Sequence, residues 1–167
     1  FEVYENPTWE FAQESFMRKI RKQSRSSLSE YIFSKKTYNN NKFTEYPLAW
    51  HTDDKAWLDF SDNKPIFSIE ESKVFVRLSP FNITGKKDNL AIKYLADNLF
   101  LRDFINSNYL QDNKDINAVL LSFETILKRS RRLEISEWTY LFKTYLKYFE
   151  LVNFAKFIRR FTLALLK

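Results

Sequence analysis

The 167-residue chain has no cysteine, one histidine and one glycine. Without cysteine there are no disulfide frameworks, zinc ribbons, iron–sulfur ligation or thiol catalysis. A single histidine, His51, removes the multi-histidine metal sites. A lone glycine, Gly85, cannot build a glycine-rich phosphate loop, a dinucleotide fingerprint or a nucleophile elbow. Long apolar runs are missing as well. No stretch of about 18 uncharged apolar residues occurs, so no transmembrane segment is expected. Phe1 to Glu5 lack the basic start and apolar core of a signal peptide, and no initiator Met is present. The expectation is an intracellular protein, not a secreted one, with an organelle such as the mitochondrion compatible. The chain reads as a trimmed piece of a longer product.

What is present is aromatic and basic. The chain holds 17 Phe and 9 Tyr, is 44% hydrophobic and carries a formal charge of +6. Such a mixture can bury a sizeable core. Phe, Tyr, Lys, Asn and Ile make up 67 residues, against 23 for Gly, Ala, Arg and Pro. That contrast follows AT-rich codons, so part of the lysine excess reflects the genome and not a partner.

The fold class expected is α+β, mainly α. Asn6-Pro7 reads as a helix start, with Trp9, Ala12, Phe16 and Ile20 on one face. Residues 34–47 are polar and read as a loop. Residues 1–47 therefore form a basic N-terminal helix and extended arm. Residues 48–85 read as a small antiparallel sheet, with strands at Trp57–Phe60, Pro65–Ile69 and Lys73–Leu78. Residues 86–167 read as a bundle of three to four helices. One helix is expected over 86–106. The next carries the cleanest stripe in the chain: Ile116, Val119, Leu120, Phe123, Ile126 and Leu127. Ser136 is placed to cap a third helix, with Ile135 and Tyr140 as its hydrophobic staple. In the last segment, Leu141, Tyr145, Tyr148 and Val152 lie nearly opposite Phe154, Phe157, Ile158, Phe161 and Leu165. Either the helix breaks near Asn153, or its second half docks on a partner.

No catalytic spacing emerges, and the chain reads as a non-enzyme without cofactor or metal. His51, in a polar stretch with Asp53 and Asp54, reads as a surface residue. Asp53, Asp54, Asp59 and Asp62 read as a solvated acidic loop. Positive charge is more telling because it is segregated. Residues 15–42 hold eight basic residues against one acidic, Glu30. Arg18, Lys19, Arg21, Lys22, Arg25, Lys35 and Lys36 are candidates for phosphate contact, with Tyr31, Tyr38 and Phe43 nearby to stack on bases. Lys128, Arg129, Arg131 and Arg132 form a second basic group. The function expected is a non-catalytic subunit of a larger assembly, contacting nucleic acid, RNA before DNA, as in a ribonucleoprotein particle. The alternative is an accessory subunit that docks on other proteins through Phe154, Phe157, Ile158, Phe161 and Leu165. A basic helical DNA-binding module also fits the charge but lacks a helix-turn-helix turn.

Trp9-Glu10-Phe11, followed by Phe16, Arg18 and the basic run Lys19 to Lys22, resembles the end of the heat-shock-factor DNA-binding domain. The likeness covers residues 9–22 alone, and no function is carried over from it.

Overall fold

The computed structural model describes residues 3–25, 28–76, 85, 88–107, 109–130 and 133–166. Among these, seven helices and one two-stranded antiparallel sheet make an α+β, mainly α fold. Strand β1 (Trp9–Phe11) leads directly into helix α1 (Ala12–Ile20). The strand replaces the helix start expected at Asn6-Pro7. Glu10 is buried between exposed Trp9 and Phe11, a period of two that a helix cannot give. α1 buries Ala12, Phe16 and Met17, and the Glu14 carboxylate accepts from the Phe11 N–H at its start.

Helix α2 (Lys35–Asn41) forms where the sequence suggested a loop. Ser34 caps it, its hydroxyl accepting from the Thr37 N–H at 3.0 Å. Helix α3 (Thr52–Phe60) takes the place of the first expected strand. Asp53 and Asp54 in its first turn favour the positive end of the helix dipole. Strand β2 (Pro65–Phe67) then pairs back to β1, with Trp9 opposite Phe67 and Phe11 opposite Pro65. The sheet is thus small and antiparallel as expected, but its partner strand comes from the N-terminus. Residues 73–76 are exposed and form no strand, and Arg77 and Leu78 lie outside the described residues.

Four helices follow: α4 (Leu90–Asn106), α5 (Asn113–Ser130), α6 (Ile135–Lys147) and α7 (Leu151–Leu165). α5 buries Ile116, Val119, Leu120, Phe123 and Leu127, the stripe its spacing predicts. α6 is capped by Glu134, not by Ser136, and the Glu137 carboxylate reaches back to the Glu134 N–H at 2.9 Å. Ile135 is 85% exposed and staples nothing. The chain breaks at Tyr148, a few residues before Asn153, and the Glu150 side chain caps α7. The Asn117 amide holds the break by donating to the Tyr148 carbonyl at 2.7 Å.

One hydrophobic cluster draws on α1, α3 and all four C-terminal helices. Phe16 packs against Phe100 and Phe104 with ring centroids 5.3 and 4.5 Å apart. At the other end Tyr145 stacks on Phe157 at 4.5 Å. Among the described residues, seven non-glycine residues have positive φ: Lys22, Lys42, Leu48, Ala49, His51, Asp62 and Asn63. A glycine-poor chain makes its turns with side chains that resist them.

Candidate nucleic-acid interface

The basic residues of α1 mostly face inward. Arg18 grips the buried Glu10 carboxylate with Nε at 3.0 Å and Nη2 at 2.6 Å, and also donates to Asn6. Lys19 Nζ donates to both oxygens of Asp54 at 2.6 and 2.7 Å. Arg21 pairs with Asp115 on α5. These three side chains fasten α1 to β1, α3 and α5. Lys22 is exposed and Arg25 half-buried, and neither forms an ion pair among the described residues.

Lys19 also leads to a buried polar cluster. Asp54 accepts from Lys19 and meets His51 Nδ1 at 2.7 Å, while His51 Nε2 meets Asp97 at 2.7 Å. Trp50 Nε1 donates to the same Asp97 oxygen at 2.9 Å, and Phe100 stacks on the imidazole at 4.5 Å. His51 is therefore not the surface residue its polar neighbourhood suggested, and Asp54 is buried, not solvated. Burial opposes the charged imidazole and Lys19 repels it, but the bonds to Asp54 and Asp97 raise its pKa above the usual 6.5. Burial likewise pushes Asp54 up, yet His51 and Lys19 outweigh it and bring its pKa down to about 2. Both ring nitrogens thus meet carboxylates.

The sign of each shift sets a pH window. Stability from the His51 imidazolium is full below 6.5 and fades as pH rises through the raised midpoint. Stability from Asp54 is full above 3.8 and fades as pH falls through about 2. The chain's one imidazole gives one set of ring signals, so an NMR titration reads the first window directly. The midpoint is expected above 6.5; one at or below it would contradict the clamp.

The surface around α2 is different in kind. Phe33, Phe43 and Phe60 form an aromatic cluster, with Phe33 edge-on to Phe60 at 5.0 Å and Phe43 5.6 Å from it. Tyr38 leans on Phe43 at 5.4 Å. Phe33, Tyr38 and Phe43 each stay slightly more than one-third exposed. Lys42 sits 4.7 Å over the Tyr38 ring. Its backbone, at φ 57° and ψ 171°, occupies a region suited to glycine, and this turn brings Phe43 back beneath α2. Lys35 and Lys36 are exposed and form no ion pair among the described residues. They stand at the positive end of the α2 dipole, where a cation gains nothing for the helix. Between residues 31 and 52 the only acidic residue before α3 is Glu45. Tyr31, expected beside this group, stacks instead on Trp57 at 4.2 Å.

Of the second basic group, Lys128 alone has a described side chain. Lys128 pairs with the buried Glu124 and lies 5.0 Å over Trp138. Arg129 lies in α5, with its side chain outside the description; Arg131 and Arg132 lie outside the described residues. The apolar face of α7 turns inward. Phe157 is fully buried, and Phe154, Ile158 and Phe161 pack against the core. Leu165 remains exposed. Four of the five expected docking residues thus lie on the inner face of α7, because the break at Tyr148 folds it back onto α5 and α6.

Sequence reading missed the His51 clamp and the partners of α1. The Asp54 partner, three residues from His51, was legible; Asp97 and Asp115 were too distant to be read. Comparison of the chain with protein-family models, with curated proteins and with solved structures finds no match.

Proposed function

We propose that the chain is a non-catalytic binding subunit that holds single-stranded RNA against the α2 surface. The observation that carries this reading is the partly exposed cluster of Phe33, Tyr38 and Phe43, bordered by Lys35, Lys36 and Lys42. Unstacked bases find ring faces there, and the lysines meet the backbone phosphates. Arg18, Lys19 and Arg21 are already paired with acids and hold α1 in place. RNA is favoured over duplex DNA because exposed rings serve splayed bases and not paired ones.

Fluorescence anisotropy with single-stranded RNA at several salt concentrations tests this. Log affinity is expected to fall linearly with log salt. The Lys35→Ala, Lys36→Ala double variant should make that slope shallower by about 1.4, or about 0.7 per lost phosphate contact on a single strand. Tyr38→Ala should weaken binding by about 1–3 kcal/mol with the slope unchanged. α2 buries none of its residues, so these variants should retain their circular dichroism. A flat slope, or no binding at low salt, would sink the proposal.

A further inference from the structure

The outer faces of α6 and α7 carry no acidic side chain. Within residues 135–166 the acids are Glu137, which is buried, and Glu150, which is spent on the Val152 and Asn153 N–H groups at the start of α7. What faces outward is apolar and cationic together. α6 presents Phe142, Lys143, Leu146 and Lys147, all exposed. α7 and its C-cap present Val152, Lys156, Arg159, Leu163 and Leu166, also all exposed. At about 100° per residue these α7 positions fall on one side of the helix, opposite buried Phe157. Lys143, Lys156 and Arg159 form no ion pair among the described residues.

An occupant of this face must be both apolar and anionic. A second copy would set cations against cations. Nucleic acid would use Lys156 and Arg159 but gain nothing from Val152, Leu163 and Leu166. A partner helix needs a groove, and the seam between α6 and α7 is filled: the Phe154 ring lies 5.9 Å from Phe142 and 5.5 Å from Phe149. A lipid surface needs no groove. Its headgroups take the cations, and its acyl boundary takes the leucines to a depth of about 5–10 Å. No helix among the described residues is long and apolar enough to cross a membrane, so the contact would lie on the leaflet. We infer that the outer face of α7 docks on an anionic lipid surface.

Flotation of the full chain with vesicles tests this. One set is phosphatidylcholine alone; the other has equal parts phosphatidylcholine and phosphatidylserine. The chain is expected to float with the anionic vesicles and not with the neutral ones. The Lys156→Ala, Arg159→Ala pair should weaken binding about thirtyfold. The Val152→Ser, Leu163→Ser pair should also weaken it, at unchanged charge. All four side chains are exposed, and unchanged thermal unfolding confirms that each variant folds. The Lys35→Ala, Lys36→Ala variant should float like the parent, which separates this surface from the RNA face. Three results would overturn the inference: no flotation with anionic vesicles, flotation indifferent to the serine pair, or capture of an acidic amphipathic peptide without any vesicle binding.

Discussion

Phe100→Ala is expected to cost about 3–5 kcal/mol of folding stability. Phe100 is fully buried and touches four rings: one from α1, two from the connector between α2 and α3, and one from its own helix. Phe16 of α1 meets it edge-on at 5.3 Å, Tyr46 at 5.9 Å, His51 stacks on it at 4.5 Å, and Phe104 lies 6.1 Å along α4. Alanine leaves a cavity that these neighbours cannot jointly fill, because Tyr46 is tied to Asp103 at 2.7 Å and His51 to Asp54 and Asp97. For a domain of this size each kcal/mol lowers Tm by about 2–4 °C, so a fall of roughly 10 °C is expected. Urea unfolding measures the free energy. The His51 ring protons should also lose the ring-current shift of the stacked face. A loss under about 1 kcal/mol would show that Phe100 does not join these elements.

Removing the Glu124 carboxylate is the second large change. Glu124 is 1% exposed, yet it receives Arg160 of α7 through Nε at 2.9 Å and Nη2 at 2.8 Å, and Lys128 from its own helix. Burial alone disfavours the charged Arg160, but the paired Glu124 carboxylate raises its pKa, so the guanidinium stays charged. Glu124→Ala leaves this cation and Lys128 without the carboxylate they share. The expected cost is about 2–4 kcal/mol, below the figure for a fully buried pair because Arg160 and Lys128 still reach water. Hydrogen exchange should show α7 opening before α4 and α5. The double variant Glu124→Leu, Arg160→Leu should be less destabilised than Glu124→Ala, since no charge is then stranded. Equal losses in the two variants would deny the ion pair a role in holding α7.

The elements legible in the sequence are those whose signal is local. The α5 stripe, the sheet's existence and the break between α6 and α7 can each be read from periodicity or face reversal. α3 is hidden because Trp57-Leu58-Asp59-Phe60 has the composition of a strand, while its packing against α1 and α2 makes it a helix. β2 lies within a segment read as a strand, but its partner β1 is more than fifty residues earlier, and no local pattern encodes that pairing. The cationic cluster of α1 fails for the same reason. Glu10, Asp54 and Asp115 lie on three different elements, and only folding shows that Arg18, Lys19 and Arg21 are already answered. Lys35, Lys36, Tyr38 and Phe43 remain as the part of the candidate site that sequence reading and geometry share. Phe33 and Phe60 join it only through the fold.

The left-handed residues are not spread evenly. Four of the seven, Lys42, Leu48, Ala49 and His51, fall in the connector between α2 and α3. Each such residue stores roughly 1–2 kcal/mol against its preferred backbone. In mechanical terms the connector is a loaded spring. Its detents are the Tyr46 bond to Asp103, the Trp50 bond to Asp97 and the two bonds of His51, all anchored on α3 or α4. The aromatic surface around Phe43 is mounted on one end of that spring, and the only imidazole in the chain is the catch at the other.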